Sequence, residues 1–398
     1  MVACHLGVPA ESAHAHVAQL AEHVLGKDEV SGSSPDVGST HPARTRSEEV
    51  NPTVVLPLLA AVLSFIFAAM VGDQWLRRRQ PYQLVWTIGL LLYGVASGVD
   101  CLAAAGGWTD GLYRTWYLAG AFGGAAYLGL GTIFLLNRTR FGYFVSFLLA
   151  GSGLIALAFA AARAKEGIAI PAWGVAAVVG GCLITALVVA IATRANRDLV
   201  APITTGVLAI ASAAAVVMTI TAPLAAPGFA VNAATSAPVG DAFPAYLRML
   251  VLPFNITGGL ALVFGAVYSA YIFMPKRRVL RLTSQIPIIS QLGRGLAVTV
   301  NFVASVPGAV SALRAGTLNS RVPATILIAT GGLIQSVTSG LTRFGITWGY
   351  YLGELLGVLL IFIGFLVSIE VFSDIRLPFT HVVLVRRKEP EPPGAAPA

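Results

Sequence analysis

Apolar runs of about 20 residues, the length that spans a bilayer core, follow one another from residue 50 to residue 371, and short charged stretches separate them. The pattern predicts spans at about 53–71, 82–104, 115–136, 144–162, 171–193, 203–224, 249–274 and 323–341. A ninth begins at Gly345, runs beyond Gly364 and ends near Glu370. The fold class is therefore all-α, a polytopic transmembrane bundle of nine helices. Pro253 falls close to the start of the seventh span, where a proline bends a helix without ending it. The 225–248 loop, rich in Ala, Pro and Gly with only Asp241 and Arg248 charged, is expected to be slack.

Residues 282–322 break the pattern. Leu296, Val300, Val303, Val310 and Leu313 recur at helical spacing, but Arg294, Arg314 and Arg321 flank them and Pro307 interrupts. Such a segment is expected to lie along the interface as an amphipathic helix. The domains are then 50–281, a seven-helix bundle; 282–322, the interfacial segment; 323–371, a helical hairpin; and 372–398, a tail expected to be disordered. Basic residues orient the bundle. Eleven fall in the loops after the first, third, fifth and seventh spans, against Arg114, Arg163, Lys165 and Arg248 in the others. By the positive-inside rule the amino end is outside and the carboxyl end cytoplasmic, as in a multi-pass protein of the cell (inner) membrane.

The ninth span carries Gly345, Gly349, Gly353 and Gly357 at four-residue steps, a bare face into which another helix can pack. Its expected partner is the Gly94-x-x-x-Gly98 face of the second span or the glycines of the third. Such a glycine zipper could also join two copies of the chain. Glu354 stands about 60° round the helix from Gly357, on the flank of the seam with Thr347 and Tyr350. A carboxylate within a span costs roughly 2.5–3.5 kcal/mol on insertion scales, so Glu354 and Asp100 are expected to face the interior. Both lie in the same half of the membrane by their distance from the ends of their helices. With Tyr350 and Gln335 they form a candidate site for a proton, a cation or another ligand.

Composition agrees with the pattern: the chain is 56% hydrophobic and 11% charged, with mean hydropathy +0.77. Its net charge of +8 reflects loop arginines, which excludes a nucleic-acid partner and leaves the lipid bilayer as the environment. Cys4, Cys101 and Cys182 have no metal-ligand spacing. Gly120-Ala-Phe-Gly123-Gly124 follows no soluble strand, so it is no dinucleotide loop. No histidine falls inside a span, which removes haem and His-based zinc sites, and no cofactor is expected. Two function classes stay open. One is a transporter or channel for a small solute or cation, coupled to protons through the carboxylates; the other is a sensor or assembly scaffold. An intramembrane enzyme using carboxylates alone is a weaker alternative.

The first 49 residues differ from the rest. They hold five of the six histidines, with three basic and seven acidic residues, so the remainder has 23 basic against 11 acidic and a net charge of +12. Residues 15–39 resemble a threonine transfer-RNA gene read as codons. Ala15-His16-Val17 and Asp36-Val37-Gly38-Ser39 can be written to contain GCCCACG and CGTGGGC, the two strands of an acceptor stem. Ala18-Gln19 and Glu22-His23 supply GCTC and GAGC. His23 to Glu29 gives CGTCC and GGACG around TTGGTAA, whose central GGT is a threonine anticodon. Ser31 to Asp36 gives TCGGG and CCCGA around TTCGAGT. This resemblance implies a mis-placed start, with translation beginning near Val50 or Val54. Sequencing the DNA is expected to show these four stems, and tryptic peptides from residues 1–49 are expected to be missing from the purified native protein. Codons that cannot pair, or one such peptide, would remove the idea.

Overall fold

The computed structural model describes residues 51–224, 242–280, 287–342, 349–368, 374–376, 378–380 and 382–386, with side chains between 287 and 299 described only at Ala297. Residues 1–50, including the transfer-RNA-like segment, lie outside the described residues, as does Gly345.

Ten α-helices are present among the described residues: α1 Pro52–Arg78, α2 Pro81–Gly106, α3 Asp110–Leu135, α4 Phe141–Lys165, α5 Ala172–Ala195, α6 Val200–Thr221, α7 Ala245–Phe273, α8 Pro287–Arg314, α9 Arg321–Thr342 and α10 Tyr350–Val367. All but α8 are long and apolar enough to cross a membrane, and the chain is a multi-pass helical membrane protein in that sense. Local chemistry sets several ends. Asn51 caps α1 by accepting from the Thr53 N–H at 3.0 Å, with Pro52 in the first turn, where its missing donor costs nothing. Gly107, at φ +88°, ends α2 in a conformation open to glycine. Arg114, on the first turns of α3, reaches the end of α6. It donates to the carbonyls of Thr219, Ile220 and Ala222 and pairs with Asp110 at 3.1 Å. It thereby satisfies acceptors that a helix end leaves open. Within α3, Tyr117–Gly124 opens into π turns.

Six helices close a ring, α1–α2–α3–α7–α9–α10 and back to α1, while α4, α5 and α6 pack on its α3–α7 side. The ring interior is apolar and aromatic in one half, where Phe67, Trp86 and Phe365 meet with ring centroids 4.7–4.9 Å apart. Trp86 also donates to the Leu128 carbonyl at 3.1 Å. A second aromatic group, Trp108, Tyr113, Trp116, Tyr117 and Phe243, packs where α3 meets α6 and α7.

Three expectations change. The ninth helix is described over Tyr350–Val367, with Gly349 as its cap. Its glycine face packs on α9, its own hairpin partner, and not on α2 or α3. Gly353 lies against Thr338, Gly357 against Gln335 and the Gly331 carbonyl, and Gly364 against Ala324 and Ile328. Gly94 and Gly98 meet Phe65 and Ala61 of α1. Both seams are thus occupied within the chain: a glycine stripe fixes that a close neighbour exists, and the short connection decides which. The 225–248 loop is not wholly slack. Residues 225–241 lie outside the described residues, but Phe243 is buried between Tyr113 and Tyr117. The tail contains an antiparallel hairpin, β1 Asp374–Arg376 and β2 Val383–Arg386. Its turn is held to α1: the Phe379 N–H donates to Asp73 at 3.1 Å and Arg77 donates to the Thr380 carbonyl at 2.9 Å. Charge and proline content hid that docking site.

The α8 helix continues through Pro307. Its Asn301 accepts from the Val279 and Leu280 N–H groups at 2.7 and 2.9 Å, and its Ser305 from the Arg277 N–H at 2.8 Å. The polar face thereby holds the strand leaving α7, while Val303, Val306, Val310 and Leu313 stay exposed.

The α9–α10 contact yields a test. A Cβ at Gly331 would lie 2.5 Å from the Gly357 carbonyl oxygen, whereas one at Gly340 meets nothing within 4 Å. Gly331→Leu should destabilise the protein by about 1–3 kcal/mol or more through overpacking, and Gly340→Leu should not. Denaturation in mixed micelles measures both, and equal stability of the two variants would contradict the packing.

Candidate functional site

Asp100 and Glu354 come from antiparallel helices that reach the same level of the ring. Asp100 is six residues from the end of α2, about 9 Å along its axis, and Glu354 is one turn into α10. The seam face of α10 is consumed by α9, which turns its flank toward α2. Glu354 therefore meets the Tyr93–Ser97–Asp100 side of α2. The Tyr93 hydroxyl donates to the Glu354 backbone carbonyl at 2.8 Å, and Ser97 Oγ lies 2.5 Å from Glu354 Oε1. Asp100 is fully buried, Ser97 likewise, and Glu354 is 6% exposed. The two carboxyl groups are close enough for each to feel the other's charge, and the side chains of Trp116 and Tyr350 approach Asp100.

The hydrogen count at Ser97 has a chemical consequence. Its Oγ also lies 3.1 Å from the Tyr93 carbonyl, which can only accept. A hydroxyl has one hydrogen. That hydrogen is shared between the Glu354 carboxyl group, the nearer acceptor, and the Tyr93 carbonyl. Oε2 of Glu354 is buried without a hydrogen-bond partner, and the Asp100 oxygens have only the approach of the Trp116 and Tyr350 side chains, short of full hydrogen-bond geometry. None of the three ion pairs among the described residues involves either acid. Buried carboxylates without counter-charge are expensive, so such a pair is neutralised by a proton or a bound cation.

Of the residues singled out from the sequence, Asp100, Glu354 and Tyr350 are brought together. Gln335 stands on α9 against Gly357, on the seam side of α10. Gly349, Gly353, Gly357, Gly94 and Gly98 are packing positions, and Gly345 lies outside the described residues. Sequence reading missed Ser97, Tyr93 and Trp116. Ser97 and Tyr93 stand three and seven residues before Asp100, on one helical face, and that spacing was the available signal. The π turns of α3 begin beside Trp116, at the level of the acids, and such turns are frequent at functional sites.

The cavity lined by α3, α4, α5, α6 and α7 has a volume of about 200 Å³ and none of the acids borders it. Among the described residues, no group of His, Cys, Asp or Glu could hold a metal ion as a cluster of three.

The fold and site define a multi-pass helical membrane protein with two carboxyl groups buried in a closed ring of helices. No family model, characterised protein or solved structure matches the chain.

Removing the serine should cost more than removing the tyrosine hydroxyl. Tyr93→Phe loses one bond of the kind that averages about 0.6 kcal/mol between transmembrane helices. Ser97→Ala leaves a buried carboxyl group without its partner, a loss of about 1–3 kcal/mol. Reversible unfolding in mixed micelles is the measurement, and a larger loss for Tyr93→Phe would contradict the assignment.

Proposed function

We propose that this protein is a transporter of a small solute or cation in the cell membrane, coupled to protons through Asp100 and Glu354. The observation that carries the reading is the arrangement of the two acids. They are buried within a ring of six helices, near enough for the charge of Glu354 to act on Asp100, and neither acid has a basic partner in an ion pair among the described residues. Structural carboxyl groups inside a membrane are satisfied by partners, whereas a carrier needs acids that can exchange a proton or ion. Tyr93 and Ser97 position Glu354, and Tyr350 and Trp116 border Asp100.

The orientation belongs to the same reading. The distribution of loop arginines supports an amino end outside and a carboxyl end in the cytoplasm, an orientation that would put the acids in the outer half of the membrane. A cysteine introduced at Ala395 that reacted with an impermeant reagent on intact cells would reverse this.

The alternative, a sensor or scaffold without transport, draws on one observation: the cavity between α3, α4, α5, α6 and α7 is not lined by Glu354. Reconstitution in liposomes separates the two. The wild-type protein is expected to collapse an imposed pH gradient when the correct solute or cation is present. Glu354→Gln and Asp100→Asn, folded to wild-type thermal stability, are expected to fall to the rate of empty liposomes. Unchanged flux in both variants would remove the acids from the mechanism. Wild-type protein that carries no proton flux across a panel of cations and small solutes would leave the scaffold.

A further inference from the structure

The cavity between α3, α4, α5, α6 and α7 is separate from the acid site, and its chemistry specifies an occupant. Its wall on the ring side is a backbone contact between α3 and α7: a Cβ at Gly258 would lie 2.5 Å from the Ala125 carbonyl oxygen. Phe254 and Leu130 line it deeper in, and Cys182 borders it from α5. Its mouth lies between α5 and α6, where Gly181 and Val207 both line the cavity and are exposed. Gly181 is nine residues into α5, about 14 Å from its start at 1.5 Å per residue, so the mouth opens at the level of lipid tails.

The hydroxyls in the lining are turned away from the space. Thr185 donates to the Gly181 carbonyl at 2.7 Å and Thr204 to the Val200 carbonyl at 2.9 Å. Ser152 Oγ lies 2.7 Å from the Leu148 carbonyl and 2.9 Å from Thr257 Oγ1, so Ser152 donates to Leu148 and Thr257 to Ser152. A buried water needs two to four polar partners, and these groups offer it no free donor. At about 200 Å³ the space exceeds the ~150 Å³ apolar cavity that binds benzene. An unfilled void of this size is unfavourable.

We propose that this cavity is a binding site for one hydrocarbon chain of a bilayer lipid, which enters between α5 and α6 at Gly181. The headgroup stays at the membrane surface and the tail occupies the space beside Phe254. The site shares α3 and α7 with the ring but none of the acids, so it stands independently of the transport reading.

A long-chain fatty acid carrying a diazirine at mid-chain tests it in the full-length protein in lipid nanodiscs. Phe254 is 6% exposed and out of reach of lipid that only surrounds the bundle, whereas Ile184 and Ile210 face outward. After illumination, mass spectrometry is expected to find the label on the α7 segment that holds Phe254 and Thr257 as well as on α5 and α6. A Cβ at either Gly180 or Gly181 meets nothing within 4 Å, so both tolerate a ring. Gly181→Phe should lose the α7 label and keep the outer ones, and Gly180→Phe, which does not line the cavity, should keep both. Val207→Phe blocks the mouth from α6 should Gly181→Phe fail to fold. Label confined to outer faces in the wild type, or α7 label that survives every blocked mouth, would overturn the proposal.

Discussion

A carboxyl group placed in hydrocarbon must be given partners or neutralised, and that constraint organises this bundle. Glu354 can be buried only if α10 lies against a helix that offers hydroxyls at its level, and α2 supplies Ser97 and Tyr93. The bonds between them link the last spanning helix to the second, far apart in sequence. With α10 also packed on α1 and α9, and α9 on α7, the ring is closed. Without that closure the acids would face lipid.

Small residues make the closure geometrically possible. Lipid tails are as apolar as leucine, so the helices gain little by hiding leucines from them and gain instead by close backbone packing. The strongest cases are Gly331 against the Gly357 carbonyl and Gly129 and Gly258 against the facing backbone, where no Cβ fits at Gly331, Gly129 or Gly258. The first pair sets the rotation of α10: once Gly353, Gly357 and Gly364 are spent on α9, the flank bearing Glu354 is left for α2. The carboxyl site is therefore a consequence of where the glycines are.

Much of this was legible. Hydropathy located the nine apolar helices found among the described residues, with the end of α1 seven residues short and the other ends within about five, because bilayer thickness is a strong constraint on length. Asp100 and Glu354 stood out for the same reason, as charges where hydrocarbon penalises them. Which helices touch was not legible. The period of Gly353 and Gly357 marks a face but carries no address, and α9 won by chain connectivity. Ser97 and Tyr93 were passed over because hydroxyls inside spans are ordinary, and only the neighbouring acid makes them informative. The hairpin around Phe379 was hidden for a different reason. Its stability comes from docking on Asp73 and Arg77, some 300 residues away, and not from its own composition.

The two halves of the bundle share one partition. Gly129 and Gly258 bring α3 and α7 into backbone contact, with the acid-bearing ring on one side and the lipid-side cavity on the other. A backbone contact cannot yield by side-chain rearrangement, so α3 and α7 move relative to each other only as whole helices. The same α3 carries Trp116 against Asp100 and the π turns just after it. The same helix thus borders both spaces, at Trp116 beside Asp100 and at Gly129 in the wall of the cavity.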